Sequence, residues 1–378
     1  MSKSNETTPN VPTLRFKSFE QEWAYSTIGK CSMSLEYGMN AAAVKYDGKH
    51  KYIRITDIDE ETSAFIPNPL SSPDGEFEQK YLVKENDILF ARTGASVGKS
   101  YLYNPNDGEL YFAGFLIRAR IKPEYNGTFI YYQTKSKKYN RWVKLTSMRS
   151  GQPGINSQEY SGYPIAITGK VEQDKIADFF QVIDNRIAVQ NKIISDLKVL
   201  KKELCRKMLS SIAEYKPLGE LCSITTGKLD ANANNQNGLY PFFTCGKDTL
   251  SIDNYAFDGE AILIAGNGDI GHTKYYYGKF NAYQRTYVLM GFKADAQFVK
   301  MGIDTYLPQK ISEETQGGAM PYIKLSTLTS LKIPFTTEEK QLSIRNHYDT
   351  IAQKVENETK MLDLLLQQKS YFLNAMLI

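Results

Sequence analysis

Two long stretches of the chain lack both glycine and proline and repeat apolar residues on alternating three- and four-residue steps. The first occupies positions 170–216, between Gly169 and Pro217, and the second occupies positions 335–378. This spacing is typical of the narrow apolar seam of a coiled coil, which needs a partner helix. We therefore predict two long helices. Their seam residues are Ile176, Phe180, Ile183, Ile187, Ile194, Leu197, Leu204 and Met208 in the first, and Ile344, Tyr348, Ile351, Val355, Leu362, Leu365, Phe372 and Met376 in the second.

The two helical stretches are copies of one another. The segment Ile155–Leu209 aligns with Ile323–Leu377 without a gap, and the seam residues coincide in order. The polar interruptions of the seam coincide as well, Gln190 with Glu358 and Lys201 with Lys369. Agreement even at the exceptions indicates an internal duplication.

The duplication extends into the regions before the helices. "STIGKCS" (Ser26–Ser32) resembles "KPLGELC" (Lys216–Cys222), and "DILFARTGASVGKSYLY" (Asp87–Tyr103) resembles "AILIAGNGDIGHTKYYY" (Ala261–Tyr277). Short β-like runs between Gly, Asn and Asp turns fill both regions, so each is predicted to be a globular domain. Short connections require the two helices to pack antiparallel. The predicted fold class is α+β, with two similar domains separated by an antiparallel two-helix coiled coil and related by a pseudo-two-fold repeat.

These patterns divide the chain into five predicted segments. They are a disordered N-terminal tail at 1–10, a first globular domain at 11–169, a central spacer helix at 170–214, a second globular domain at 215–335 and a second spacer helix at 336–378.

Composition narrows the class of protein. The chain has 378 residues, of which 42% are hydrophobic, which is ordinary for a globular protein with two or three domains. It contains no stretch of 18 apolar residues and no signal-peptide pattern, so we expect a cytoplasmic protein. The four cysteines show no metal-binding spacing and are expected to be reduced. A net charge of +4 is compatible with nucleic-acid binding but does not indicate it alone.

One region has the character of a nucleic-acid surface. No acidic residue occurs between Tyr125 and Gln158, while basic and aromatic residues alternate there. Basic side chains would contact phosphates, and polar side chains in glycine turns could reach base edges. The candidate DNA contacts are Arg92, Thr93, Ser96, Lys99, Lys135, Lys138, Arg141, Arg149 and Gln152 in the first domain, and Asn267, His272, Lys274, Tyr276 and Arg285 in the second. The alternative for each is a residue that caps a turn, lies in solvent or, for Tyr276, packs in the core.

No segment carries a convincing catalytic motif. "TGASVGKS" (Thr93–Ser100) approaches a phosphate-binding loop, but Thr93 stands where the first glycine is needed, and the following residues read as a strand. An adenine methyltransferase loop is also missing from the sequence.

Several motifs together resemble the specificity (S) subunit of type I restriction–modification systems. They are "VPTLRFKSFEQEWAYSTIGK" (Val11–Lys30), "DILFARTGASVGKS", "SGQPGIN" (Ser150–Asn156) followed by "VEQDKIADFFQVIDNRIAVQNKIISDLKVLKKELCRKML", and "TTEEKQ" at the second helix. The resemblance covers nearly the whole chain from Val11 onward. One departure is the entry to each helix, "PIAITGKVEQ" and "PFTTEEKQ", which is less proline-rich than is usual in the family.

The resemblance implies a non-catalytic subunit of a host-defence complex. Its two target recognition domains would each read half of a split, asymmetric sequence in double-stranded DNA, and its helices would dock two modification (methyltransferase) subunits. Restriction (translocase–nuclease) subunits would complete the assembly. The holoenzyme would use S-adenosylmethionine for adenine-N6 methylation and ATP with Mg²⁺ for cleavage, and none of these would bind this chain. No metal site or membrane contact is expected.

Two other classes of function stay open on the residues alone. A two-headed protein-interaction scaffold would show no salt-dependent affinity for duplex DNA. An independent enzyme would show turnover without partners.

Overall fold

The computed structural model describes residues 10–75, 78–315 and 322–378, so most of the predicted tail at 1–10 lies outside the described residues. The chain forms two compact units. The first unit comprises the chain up to Val189 together with Met361–Ile378, and the second is Gln190–Lys360. Both units mix strands and helices, which confirms the predicted α+β class.

The first unit begins with short strands and helices that lead into a long helix. The strands are β1 (Ala24–Thr27), β2 (Ser32–Tyr37), β3 (Ala43–Lys45), β4 (Lys51–Ile53), β5 (Ser71–Pro73), β6 (Asp87–Ala91), β7 (Ser100–Leu102), β8 (Leu110–Phe112), β9 (Leu116–Ile121) and β10 (Pro164–Ile167). The helices are α1 (Ile28–Cys31), α2 (Gly127–Gln133), α3 (Lys137–Thr146), α4 (Ser157–Gly162) and the long α5 (Lys170–Ser210). An antiparallel sheet in the order β2-β9-β6-β7 forms its centre, and β6 is buried throughout because it has a neighbour on each side.

The second unit repeats this plan with a larger sheet. Its strands are β11 (Tyr215–Pro217), β12 (Ser223–Thr226), β13 (Tyr240–Phe243), β14 (Thr249–Ile252), β15 (Phe257–Ala265), β16 (Thr273–Ala282), β17 (Thr286–Met290) and β18 (Lys332–Pro334). Its helices are α6 (Leu218–Leu221), α7 (Ala296–Thr315), α8 (Leu325–Thr329) and the long α9 (Glu338–Met376), which ends in the first unit. The sheet order is β12-β17-β15-β16-β13-β14.

Equivalent strand pairs lead into the two long helices. β1 pairs antiparallel with β10 just before α5, and β11 pairs antiparallel with β18 just before α9. Ser26 lies opposite Ile165 in one pair, and Lys216 lies opposite Ile333 in the other. These partners are the ones that the internal alignment matches, so the structure confirms the duplication.

The burial of the two long helices follows the spacing of the predicted seam. None of the sixteen seam residues is exposed, and Ile176 and Phe180 are almost completely buried. In contrast, Val182, Val189 and Leu200 on other faces of α5 are exposed. The burial pattern of a narrow apolar stripe therefore follows from the three- and four-residue spacing.

Within each unit the two long helices run antiparallel, as predicted. In the first unit the rings of Phe179 and Phe372 are 5.0 Å apart, and Lys369 Nζ lies 2.5 Å from Asp184 Oδ1. In the second, Gln190 Nε2 donates to Glu358 Oε2 over 2.6 Å and to the Glu358 carbonyl oxygen over 2.9 Å. The Lys201 ammonium lies 5.0 Å from the centre of the Tyr348 ring. Residues of increasing number on α5 therefore contact residues of decreasing number on α9.

A buried glutamine on each long helix holds the globular part of its unit. In the first unit, Gln173 Oε1 accepts the Asn126 backbone N–H over 2.9 Å, and its Nε2 donates to the Thr168 carbonyl over 2.7 Å. Asn126 in turn caps α2. The side chain therefore joins the start of α5 to the start of α2.

In the second unit, a buried glutamine forms the equivalent pair of hydrogen bonds. Gln341 Oε1 accepts the Asp295 backbone N–H over 2.9 Å, and its Nε2 donates to the Thr336 carbonyl over 2.7 Å. The Asp295 carboxylate accepts the Phe298 backbone N–H in the first turn of α7. Gln173 and Gln341 are equivalent in the internal alignment, and both are buried.

Candidate nucleic-acid interface

In the first unit, the glycine turn after β6 and the SGQPGIN loop lie against each other. The Gly94 N–H donates to the Pro153 carbonyl over 3.0 Å, and the Ile155 N–H donates to the Arg92 carbonyl over 2.9 Å. Gly94 has a φ of +69°, which favours glycine. Two segments that are separate in the sequence therefore form one surface.

Helix α3 closes this surface on one side. A Cβ on Gly98 would lie 2.5 Å from Val143 Cγ1 of α3, so glycine permits the close approach of the turn to the helix. The Tyr139 hydroxyl also donates to the Gly98 carbonyl over 2.9 Å. We call the glycine turn, the SGQPGIN loop and α3 the first platform.

The basic and aromatic residues of α3 separate onto opposite faces. Tyr139 is buried, and the Trp142 ring packs 4.8 Å from the ring of Tyr163. The exposed basic residues of the helix are Lys137, Lys138, Arg141 and Lys144. Because no acidic residue interrupts this segment, the outer face of α3 is suited to phosphate groups.

The turn itself presents a cation beside an aromatic ring. The Arg92 guanidinium lies 4.9 Å from the centre of the Tyr37 ring, and its backbone N–H donates to the Phe115 carbonyl over 3.1 Å. The Phe115 side chain is 58% exposed, an unusual position for a phenyl ring. Neither Tyr37 nor Phe115 could be selected from the sequence, because only the fold brings β2 and the start of β9 to the turn.

The other candidates of the first unit differ in their availability. Thr93 and Ser96 are partly exposed, and Gln152 is exposed. Lys99 is paired with Glu60 over 2.8 Å, and Arg149 forms an ion pair with Glu159. Both ion pairs would have to open for these side chains to contact a phosphate.

Lys135 is directed into the unit. Its ammonium donates to Ser63 Oγ over 2.8 Å and to the Ser100 carbonyl over 3.0 Å, above the ring of Tyr131. Burial, followed by the nearby Lys369 charge, lowers the pKa of Lys135 to about 7. Two of the three N–H donors of the Lys135 ammonium are used inside the unit, so Lys135 is not part of the proposed DNA surface.

In the second unit, the same backbone contacts join the glycine turn after β15, Arg285 and the segment that begins at Ile323, which we call the second platform. The Gly266 N–H donates to the Arg285 carbonyl over 3.0 Å, and the Ile323 N–H donates to the Gly266 carbonyl over 2.7 Å. These hydrogen bonds correspond to those that join Arg92 to the Phe115 and Ile155 backbones. Asn267 is partly exposed, and His272 and Arg285 are exposed.

Two candidates of the second unit are committed to internal contacts. Lys274 Nζ donates to the Asp248 carbonyl over 3.1 Å, and burial lowers the pKa of Lys274. The Tyr276 ring packs 5.3 Å from Phe243 and 5.7 Å from Phe280. The packing of Tyr276 agrees with the alternative of a core residue.

Each platform also borders a loop that the sequence did not single out. A Cβ on Gly38 would lie 2.3 Å from the Ala113 carbonyl oxygen, and a Cβ on Gly227 would lie 1.9 Å from the Ala282 carbonyl oxygen. Glycine is therefore required where each loop begins. The equivalence of the two glycines was hidden in the sequence because the residues after them differ.

The cysteines, possible metal-binding groups and possible membrane-spanning helices of the described residues bear on the predictions from the sequence. All four cysteines are buried and none forms a disulfide, as predicted. Within residues 10–75, 78–315 and 322–378, no group of three His, Cys, Asp or Glu side chains is arranged to hold a metal ion. Among the same residues, no helix combines the length and apolar character that crossing a bilayer requires.

Comparison with known proteins agrees with this architecture. The family model described as type I restriction modification DNA specificity domain matches residues 39–199 and again residues 212–367. The two matches fall in the two copies of the internal repeat.

Two curated relatives are specificity subunits. The chain is 39% identical over 160 residues to the type I restriction enzyme EcoDI specificity subunit of Escherichia coli, covering 42% of this chain but only 36% of that protein. It is 24% identical over 349 residues to the type I restriction enzyme MjaVIII specificity subunit of Methanocaldococcus jannaschii, covering 79% of this chain and 80% of that protein.

Solved structures share the fold. The S subunit of a type I restriction–modification system from M. genitalium has a TM-score of 0.60 at 19% identity, covering 97% of this chain and 99% of that one. A chain from work on complex assembly and conformational transition of the type I R-M system also has a TM-score of 0.60, at 15% identity, covering 93% and 96%. With a specificity domain matched in each half and the fold shared over nearly its full length, the chain belongs to the family of type I restriction–modification specificity subunits.

Proposed function

We propose that this chain reads a bipartite, asymmetric sequence in double-stranded DNA, with one half read by each platform. The observation that carries the proposal is that the two platforms share backbone hydrogen bonds but present different side chains. Where the first platform has Arg92 and Phe115, the second has Gly266 and Arg285. One framework with two sets of contact chemistry is suited to two different half-sites.

Phosphate contact and base reading fall to different parts of the first platform. The exposed Lys138 and Arg141 of α3 would hold the phosphate backbone and set the register. Arg92 and Gln152 lie where the glycine turn meets the loop, and their donors and acceptors match base edges in the major groove.

The long helices would dock the modification subunits. Val171, Val182 and Val189 are 72%, 59% and 59% exposed on α5. Their separations of 11 and 7 residues, about three and two helical turns, place them on one face, away from the buried seam. Exposed valines that recur along one helix face offer apolar contacts to another subunit. In the second unit, Ile193, Val199 and Leu200 are also exposed.

The chain itself would carry no active site. Adenine-N6 methylation with S-adenosylmethionine would belong to the modification subunits, and ATP- and Mg²⁺-dependent cleavage to the restriction subunits. This division is the one that the resemblance to type I specificity subunits implies.

Methylome sequencing tests the proposal directly. We expect co-expression of this chain with its modification subunit in a methylation-free host to produce adenine methylation at one bipartite sequence. An intact complex that creates no methylated motif would contradict DNA reading.

A salt titration separates DNA reading from the scaffold alternative. The complex should bind duplex DNA with an affinity that falls steeply as salt rises. Lys138→Ala with Arg141→Ala should reduce the log–log slope by about 2, since each neutralised phosphate contributes roughly 0.9 to it, without changing the methylated motif. Lys202→Ala, at an exposed position on α5, is the matched control and should leave the slope unchanged.

A further inference from the structure

The loop between β12 and β13 presents an unusual density of side-chain amides. Every residue from Ala231 to Asn237 is exposed. Five of the six residues from 232 to 237 carry a carboxamide, namely Asn232, Asn234, Asn235, Gln236 and Asn237. A carboxamide is the side chain that can accept from and donate to adenine at the same time.

The loop is held firmly at both ends. At its start, the Gly227 N–H donates to the Thr286 carbonyl over 3.2 Å. At its end, a Cβ on Gly238 would lie 2.4 Å from the Ile252 backbone nitrogen, so only glycine permits this approach to β14. The Asn235 N–H donates to the Ser251 carbonyl over 2.8 Å. These contacts fix the loop against the sheet.

The same contacts place the loop next to the second platform. The Gln284 N–H donates to the Leu229 carbonyl over 2.8 Å. The next residue, Arg285, accepts the Gly266 N–H of the glycine turn over 3.0 Å. The carboxamides therefore extend the proposed reading surface of this unit.

The amides divide into structural and uncommitted groups. Asn235 Nδ2 donates to both carboxylate oxygens of Asp253 over 3.0 Å, and Asn234 Nδ2 donates to the Ala231 carbonyl over 3.0 Å. In the part of the chain that the structure describes, the side chains of Asn232, Gln236 and Asn237 make no hydrogen bond. Such groups retain their donors and acceptors for a ligand.

The first unit has an equivalent loop with different chemistry. The Gly38 N–H donates to the Leu116 carbonyl over 3.2 Å, and the Gly114 N–H donates to the Met39 carbonyl over 2.7 Å, as in the second unit. After Asn40, however, the chain continues with three alanines and Val44. Equivalent anchors thus carry an apolar loop in one unit and an amide loop in the other.

We propose that Asn232, Gln236 and Asn237 are specificity-determining residues that read adenine in the half-site of the second unit. The carboxamide oxygen accepts the adenine N6 amino group and the carboxamide NH₂ donates to N7, a pairing that no other base offers in the major groove. The inference rests on the proposed function of DNA reading and adds to it the residues and the base.

Isosteric substitutions test the assignment without changing the shape of the loop. Asn232→Asp, Gln236→Glu and Asn237→Asp each keep the acceptor and remove the donor to N7, which favours the N4 amino group of cytosine over adenine. In the methylome, at least one adenine position of one half-site should become degenerate or change to cytosine. The rate at which the original bipartite sequence is methylated should fall by about tenfold or more. Asn40→Asp, the same change in the loop of the first unit, should leave the half-site of the second unit unaltered.

The outcomes separate the two proposals. If the unaltered complex methylates no bipartite motif, DNA reading itself fails. If it methylates one, and the three variants preserve both halves at the rate of Asn40→Asp, the loop assignment is overturned alone. If methylation is abolished altogether, the affinity of each variant complex for the native duplex is compared with its affinity for a duplex whose second half-site is changed. A ratio of these affinities that falls towards one supports base reading by the loop. A ratio equal to that of the unaltered complex overturns the loop assignment.

Discussion

The buried glutamines Gln173 and Gln341 are predicted to hold the globular part of each unit on its long helix. Truncation of Gln173 to alanine removes two hydrogen bonds at once, one to the Asn126 N–H and one to the Thr168 carbonyl. Both partners are backbone groups that lie just before a helix begins. The equivalent change Gln341→Ala removes the same pair of bonds in the second unit.

The expected cost follows from those hydrogen bonds. A typical hydrogen bond contributes about 1 kcal/mol net, and a buried group left unpaired costs about 1–3 kcal/mol. Each substitution should therefore lower the free energy of unfolding of its unit by about 2–4 kcal/mol. Because the two glutamines share no hydrogen-bond partner, their effects should add when both are changed.

Urea unfolding of the full chain, followed by circular dichroism, measures the effect. Gln181→Ala is the matched control, because Gln181 is exposed on the same helix and its replacement should change stability by no more than about 0.5 kcal/mol. If Gln173→Ala shifts the unfolding midpoint no more than Gln181→Ala does, the hydrogen bonds do not hold the unit and the reasoning is wrong.

Three further perturbations address electrostatics, docking and spacing. Lys135 has a folded-state pKa of about 7, below its ordinary value of 10.5, so stability should rise with pH between those values. Lys135→Met should therefore raise the free energy of unfolding by about 1–3 kcal/mol at pH 7 and below. In urea titrations this gain in stability should decrease as the pH approaches 10.5, and the control Lys137→Met should not show it. Val182→Asp with Val189→Asp should weaken co-purification of the modification subunit by about tenfold or more while unfolding stays within about 0.5 kcal/mol; undiminished binding would exclude this face. Inserting one heptad in each long helix at facing positions adds about 10 Å, which should widen the gap between the methylated half-sites by about three base pairs at ~3.4 Å each or abolish activity; an unchanged gap would show that the helices do not set the spacing.

The long helices and the duplication could be predicted because their signals are periodic and local. Alternating three- and four-residue steps define a seam whatever the rest of the chain does, and the coincidence of Gln190 with Glu358 marks the repeat. The glycine turn and the SGQPGIN loop were also recognisable as special segments. That they lie together could not be predicted, since it depends on the β6 and α4 positions in the folded unit.

Side-chain direction was the least predictable property. Lys135 and Lys138 lie three residues apart in the same basic segment, yet Lys135 donates to Ser63 and Ser100, while Lys138 is exposed. The difference arises from partners distant in sequence. The amide loop after Gly227 had a compositional signal, but its importance depends on anchors in β14 and β17 that no local pattern reveals.

The hydrogen bond between Gln190 and Glu358 has a consequence for which helices can pair. In an antiparallel pair of duplicated helices, the central residue faces its own copy, and these two residues are equivalent in the repeat. If two copies of α9 paired with each other, two Glu358 carboxylates would meet, and like charges at close range are unfavourable. The difference between Gln190 and Glu358 therefore favours the pairing of α5 with α9 and disfavours self-association through α9. The two copies of the duplicated helix are thus no longer equivalent in their choice of partner.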